Sequence, residues 1–436
     1  MNQTSKRSIF SRIATTKFVA TAIATCALTI HNGALVNAAM KDSPKNLVDE
    51  VWQIVNNDFV DRGFNQVDWI KQRQELLSKE YTDSQAAYKA INDSLKTLGD
   101  PYTRFLDPEQ FAKLTSQTSG ELSGIGIRLS IDEKTSQLMV IEPLINSPAE
   151  KAGIKMGDKI LAINGKPTTL MSLEQASEEI KGEVGTEIDL KINREEDTFD
   201  LTLVREQIEL PSVDYTINET GKSKVGYIKL DEFSSHAAEQ MEKAIADLND
   251  KQVTGFVLDL RGNPGGLLFS SVEIARMWMG KGAIVSTIDR KGGNQKFSAN
   301  GKALTDLPLV ILVDRYSASA SEILTGALKE NGRATIVGTR TYGKGTVQSV
   351  HSLSDGSGLA VTIAQYYPPS GEDINYKGIA PDIDVDLSAE QKAIFSANPS
   401  LWGTDADPQY KAAIQILQQN ESLGSAEQTP NPITIR

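Results

Sequence analysis

Ser317-Ala318-Ser319-Ala320-Ser321-Glu322 stands between two apolar runs. Before it lies Leu309-Val310-Ile311-Leu312-Val313, with the length and β-branched content of a buried strand. After it, Ile323-Leu324-Thr325-Gly326-Ala327-Leu328 reads as a helix ended by Asn331-Gly332. The small residues therefore sit at a strand-to-helix turn. A serine there has its hydroxyl at the exposed end of a sheet. The first helix amides beside it have no intrahelical acceptor. They can hold negative charge as it develops on a carbonyl oxygen, so the position suits a nucleophile.

A serine hydroxyl needs a base to take its proton. Histidine is scarce: His31, His236 and His351 are the three in the chain. Lysine is the other candidate. Thr341-Tyr342-Gly343-Lys344-Gly345-Thr346 places Lys344 between glycines that permit close backbone approach, just after the strand-like residues 334–338. To act near neutral pH, a lysine must lose roughly three pKa units, about 4 kcal/mol, mainly by desolvation. Ser-Lys pairs are a known variant of the serine-nucleophile theme. His351, on an apparent strand over 346–353, remains a rival base. His236 stands at a helix start, where positive charge is disfavoured. No Gly-x-Ser-x-Gly elbow surrounds Ser319, and no His-Glu-x-x-His occurs.

Four stretches in order carry a resemblance: Asp259-Leu260-Arg261-Gly262-Asn263-Pro264-Gly265-Gly266, the Ser-Ala-Ser-Ala-Ser-Glu run, Gly-Lys-Gly around Lys344, and Lys377-Gly378-Ile379-Ala380-Pro381-Asp382. With them the chain resembles the carboxyl-terminal processing peptidases, or tail-specific proteases. These are serine endopeptidases with a Ser-Lys pair and an embedded PDZ domain. The residues alone leave Ser317, Ser319 and Ser321 undecided. The family pattern selects the serine three before the glutamate, Ser319, and places the lysine twenty-five residues on, at Lys344. It implies that Gln348 orients the lysine in a Ser-Lys-Gln arrangement, where an amide oxygen adds no charge. It also implies an oxyanion hole made by the Ala320 amide and a glycine amide of the 262–266 loop. Gly266 is chosen over Gly265, with little to separate them. Glu322 reads as a first-turn residue matched to the helix dipole and stays outside the catalytic set.

Around these stretches, residues 207–385 alternate strands and helices, as an α/β peptidase core does. Residues 119–206 form a unit of their own. Gly124-Ile125-Gly126-Ile127 resembles a PDZ carboxylate-binding loop, in which glycines let backbone amides converge on one anion. Ser147-Pro148-Ala149-Glu150 starts a short helix that Gly153 can end. Asn164-Gly165 marks a hairpin turn. Ser172-Leu173-Glu174-Gln175 caps a second helix, with Gly182 as its C-terminal stop. Such a module adds a peptide's C-terminal residues as an extra strand. Residues 41–118 have helical periodicity and enter the PDZ unit through Asp100-Pro101-Tyr102-Thr103-Arg104-Phe105-Leu106-Asp107-Pro108. Residues 386–420 hold one or two helices, and 421–436 read as a disordered tail. The fold class is thus α/β and multidomain: a helical N-terminal region, a PDZ domain and an α/β serine protease core.

Residues 1–38 read as a signal peptide. Lys6, Arg7, Arg12 and Lys17 precede an apolar run, and Val36-Asn37-Ala38 is a small-residue cleavage site. An uncleaved membrane anchor is the competing reading. Cys26, the single cysteine, lies inside this segment, so the mature chain has no disulfide or thiolate metal site. Removing the segment takes the formal charge from −12 to −16, which argues against nucleic acid as a partner. The expectation is an exported endopeptidase, of periplasm or thylakoid lumen, acting on proteins with free C-termini without metal or cofactor. The layout looks like family members from photosynthetic bacteria and chloroplasts, some of which trim a photosystem II reaction-centre precursor. A catalytically silent PDZ scaffold is the alternative, and a non-peptidase acyl hydrolase a weaker third.

Overall fold

The computed structural model describes residues 43–132, 135–220 and 223–427. The signal segment 1–38 and the tail from 428 onward lie outside the described residues. The centre is a six-stranded sheet ordered Val213–Thr220, Ser223–Leu230, Gly255–Asp259, Leu309–Val313, Thr335–Gly338 and Ile383–Asp384. The first pair is antiparallel and the other four pairs are parallel. All five residues of Leu309–Val313 are buried, because the sheet is covered on both faces. Ile311 and Val313 face the helices Ala237–Asp250, Leu268–Trp278 and Ala320–Glu330, while Val310 and Leu312 face Tyr410, Ala413, Ile414 and Leu417 of the last helix. That helix starts at Pro408 and runs to Glu427, so the segment 421–427 is helical where the sequence suggested disorder. Its buried face on the sheet anchors its first turns, and Pro408 at the start fits the N-terminal preference for proline.

A second sheet holds Thr346–Ser352, Gly358–Tyr367, Ala283–Asp289 and Asn294–Ser298, with Arg104–Leu106 paired to Gly358–Tyr367. The N-terminal helices Pro44–Asp58, Trp69–Ser78 and Ser84–Lys96 bury Val51, Trp52, Ile91 and Leu95 with Leu359 and Val361 of this sheet. The N-terminal region is therefore bound to the core by a shared apolar cluster.

The PDZ sheet is ordered Ile127–Ile131, Leu138–Pro143, Lys159–Ile163, Glu187–Arg194 and Asp197–Val204, with helices Pro148–Lys151 and Leu173–Ile180. Asn164 and Gly165 both take positive φ in the predicted turn. Gly182 does not end its helix in a left-handed cap: Lys181 at the C-cap is extended. Gly182 instead gives room to Arg205, whose Nε would lie 2.8 Å from an added Cβ. Arg205 reaches past it to the carbonyls of Glu179 and Ile180. The domain joins the core through a two-stranded ribbon, Glu121–Gly124 against Glu206–Glu209. His236, at the N-terminus of Ala237–Asp250, sits 2.9 Å from Glu121 and 3.8 Å from Glu209, touching both strands of that ribbon.

Candidate active site

The strand Leu309–Val313 delivers the chain to a turn in which the three serines part company. Ser317 is fully buried, and its hydroxyl donates to the Leu260 carbonyl at 2.9 Å. Ser321 is fully buried, and its hydroxyl donates to the Asn263 carbonyl at 3.0 Å. Both tie the turn to the Arg-Gly-Asn-Pro-Gly-Gly loop. Ser319 is half-buried and stands as N-cap of Ala320–Glu330 at φ 55°, ψ −113°. A non-glycine residue there stores strain of about 1–3 kcal/mol, which the surrounding contacts must hold.

Those contacts come from the glycine loop and from Glu322. Asn263 donates to the Leu230 carbonyl, accepts from the Gly265 amide at 2.8 Å, and accepts the Ala318 amide on its own carbonyl. A Cβ on Gly265 would lie 2.8 Å from the Ala318 oxygen and from Ser319 Cβ, so only glycine lets the loop approach. The Gly265 amide is thus occupied. Among the described residues, the amides of Gly266 and Ala320 donate to no protein acceptor. The loop is anchored at its start by Arg261, buried against Asp259, Asp407 and Gln409 and stacked 4.3 Å from the Trp402 ring. Arg261 therefore points into the core and holds the loop from behind.

Glu322 is the residue that reading the sequence missed. It is buried, and its carboxylate accepts the Ser319 amide (2.9 Å), the Lys344 amide (2.9 Å), the Gly343 amide (2.7 Å) and the Thr341 hydroxyl (2.6 Å). One carboxylate thus fixes the serine turn and the lysine loop together. Burial pushes its pKa up, and the four donors oppose the rise. The signal that could have found it is a glutamate directly ahead of the run Ile323-Leu324-Thr325-Gly326-Ala327-Leu328, with no other charged residue in the helix before Lys329. Tyr366 adds a second clamp, with its hydroxyl between the carbonyls of Ser319 and Lys344. No sequence pattern marks Tyr366. The Lys377-to-Asp382 motif braces the same loop through mutual bonds between Thr341 and Ile379.

Lys344 forms no ion pair and no side-chain hydrogen bond among the described residues. Its Nζ lies 4.8 Å from the centre of the Tyr102 ring. Burial, then the nearby Arg104 charge, lower its pKa to about 8, against upward pulls from Asp100 and Glu322. The ring face favours the ammonium by about 0.5–2 kcal/mol. A fall from 10.5 to about 8 is worth roughly 3 kcal/mol, so desolvation prevails. Ser319 and Lys344 are brought onto one carboxylate, without a direct bond between Oγ and Nζ among the described residues. Gln348 is not brought to Lys344 by a hydrogen bond: its amide donates to the hydroxyls of Thr346 (2.9 Å) and Thr362 (3.2 Å). His351 faces Asp58 at 3.5 Å, on the side of the N-terminal helices.

In the PDZ domain, Gly124 ends the ribbon strand, and Ile127 begins the strand Ile127–Ile131. Between them, the carbonyls of Ile125 and Gly126 are engaged by Ala149 and Leu144, while their amides donate to no protein acceptor among the described residues. Among the described residues no group of three His, Cys, Asp or Glu is placed to hold a metal ion.

Comparisons agree with this architecture. The model of peptidase family S41 matches residues 224–385 and the PDZ domain model matches residues 113–193. A carboxyl-terminal-processing protease of Synechocystis is 41% identical over 392 residues, covering 89% of this chain and 90% of that protein. The chloroplastic C-terminal processing peptidase of Tetradesmus obliquus is 37% identical over 369 residues, covering 81% and 80%. A solved photosystem II D1 C-terminal processing protease is 35% identical, covers 84% of this chain and 99% of that one, and superposes with a TM-score of 0.52. An α/β core of this family carrying a PDZ domain defines a serine-type peptidase. Within that class, the chain belongs to the carboxyl-terminal-processing proteases.

Proposed function

We propose that this chain is an exported endopeptidase that docks the free C-terminus of a protein on its PDZ domain and cuts near it. Ser319 attacks the scissile carbonyl while neutral Lys344 accepts its proton. The amides of Gly266 and Ala320 receive the oxyanion. Lys344 then returns the proton to the leaving amine, and water releases the acyl group from Ser319. The observation that carries this reading is the Glu322 carboxylate, which binds the backbone of both Ser319 and Lys344. The occupied Gly265 amide supports Gly266 as the glycine donor. Substrate binding shortens the Ser319–Lys344 approach, as catalytic hydrogen bonds often tighten only in the complex. Gln348 turns to Lys344 in that state, exchanging its threonine partners.

The C-terminal carboxylate of the substrate is received by backbone amides of Gly124-Ile125-Gly126-Ile127, and its last residues extend along Ile127–Ile131, whose outer edge has no strand partner among the described residues. The named solved relative makes a photosystem II reaction-centre precursor the proposed substrate, in thylakoid lumen or periplasm. No helix among the described residues is long and apolar enough to cross a membrane. A fluorophosphonate probe tests the nucleophile. It adds to the peptide carrying Ser319 in the wild type and fails to add in Ser319→Ala. Labelling of Ser317 or Ser321 contradicts the assignment.

A further inference from the structure

Tyr102 lies far from Lys344 in sequence, on the segment that leaves the N-terminal helices, yet its ring is the group that faces Lys344 Nζ, at 4.8 Å. The segment is held rigidly. Asp100 accepts the amides of Tyr102 and Thr103, each at 3.1 Å, and the Thr103 hydroxyl at 2.6 Å. That hydroxyl in turn accepts the Thr362 amide at 3.0 Å. Arg104–Leu106 then joins Gly358–Tyr367 as an edge strand, Arg104 opposite Ala360. An Asx-type turn on one side and a sheet register on the other therefore fix where the ring stands. The Tyr102 phenol lies near that of Tyr342, from the lysine loop itself. Lys344 Nζ makes no hydrogen bond or ion pair among the described residues, and the Tyr102 ring lies against it.

We propose that Tyr102 is a positioning residue for the base: its ring shields Lys344 Nζ from water and keeps it in the cleft beside Ser319. The proposal rests on the reading of Lys344 as the base. The charged groups that act on Lys344 are Arg104 and Asp100 from the same segment and Glu322 from the serine helix, with the phenols of Tyr342 and Tyr376 next to Tyr102. Arg104 acts in the same direction as the shield, and Asp100 and Glu322 act against it. Taking the ring away admits water to the ammonium, which favours its charged form and outweighs the lost attraction of the ring face, as desolvation outweighs that attraction in the wild type. The hydroxyl is not needed for shielding, so phenylalanine suffices.

The test is the pH profile of kcat/KM on one peptide for the wild type, Tyr102→Phe, Tyr102→Leu, Tyr102→Ala and Lys344→Ala. Wild type rises through an acid limb near pH 8. Tyr102→Phe keeps that limb. Tyr102→Ala moves it up by about one unit or more, so activity at pH 7 falls about tenfold and returns above the new limb. Tyr102→Leu, smaller than tyrosine, admits some water but also loses the attraction of the ring face, so its limb moves up by less. If the alanine variant does not fold, the leucine variant decides. An unshifted limb in the folded variants overturns the proposal, and so does a rise in activity without a shift, which would make the ring a simple obstruction. Lys344→Ala separates the two readings. If it is inactive at every pH while the Tyr102 limbs stay put, only the role of Tyr102 falls. If it keeps an acid limb, the base itself was misassigned.

Discussion

Both carboxylate oxygens of Glu322 are engaged by two donors each, three of them backbone amides. Glu322→Gln replaces one acceptor with an NH2 group that faces other donors. Each buried donor left unsatisfied costs about 1–3 kcal/mol. Because the bonds fix the serine turn and lysine loop, a shift of about 1 Å follows, worth on the order of a hundredfold in rate. The expected result is a lowered urea midpoint together with a kcat/KM at least about a hundredfold below wild type; a variant as active as wild type contradicts the clamp. Lys344 gives the opposite balance. Its folded pKa, about 8, lies below the 10.5 of the ordinary side chain. Between those values the unfolded chain holds more protons, so stability rises with pH across that window. Below about pH 8 both states are charged and the burial penalty, roughly 3 kcal/mol, is fully present. Lys344→Met is therefore expected to raise stability at pH 7 by up to about 3 kcal/mol while cleavage is lost. Destabilisation at pH 7 with no change in the pH slope would contradict the burial account.

At the scale of elements, much of the arrangement was legible. The all-apolar strand Leu309–Val313 and the helix Ala320–Glu330 follow from pattern, because a strand covered on both faces needs no alternation. The PDZ helices announce themselves through Ser147 and Ser172, which accept the amides of Glu150 and Gln175. What pattern does not carry is any contact between distant segments. The Glu322–Lys344 bond, the Tyr102 ring and the Arg261–Asp407 pair each join stretches whose spacing has no period. Gly182 misled for a related reason: a glycine after a helix usually serves backbone conformation, and here it makes space for the guanidinium of Arg205, which lies between the strands Asp197–Val204 and Glu206–Glu209. The PDZ loop offers a test at this scale. Gly126 has φ +73°, and an added Cβ would lie 2.3 Å from Ser147 Cβ. Gly126→Ala should distort the loop. It is predicted to raise KM for peptides with a free C-terminal carboxylate about tenfold or more, with a smaller effect on amidated ones. Equal effects on both peptides would separate this loop from carboxylate recognition.

Across the whole molecule, three parts reach the peptidase core. The N-terminal helices send Tyr102 over the lysine, the C-terminal segment holds Arg261 behind the glycine loop, and the PDZ domain hangs from a ribbon that touches His236. The proposed function has a peptide held at the PDZ loop present a more N-terminal bond to Ser319. The direct test incubates the mature protein with two matched peptides, one ending in a free apolar carboxylate and one amidated, and reads products by mass. Wild type, Ser319→Ala and Lys344→Ala are compared in parallel. The expected result is cleavage by the wild type alone, faster on the free-acid peptide. Undiminished cleavage by Lys344→Ala, or binding of the free-acid peptide with no cleavage by any form, would contradict it.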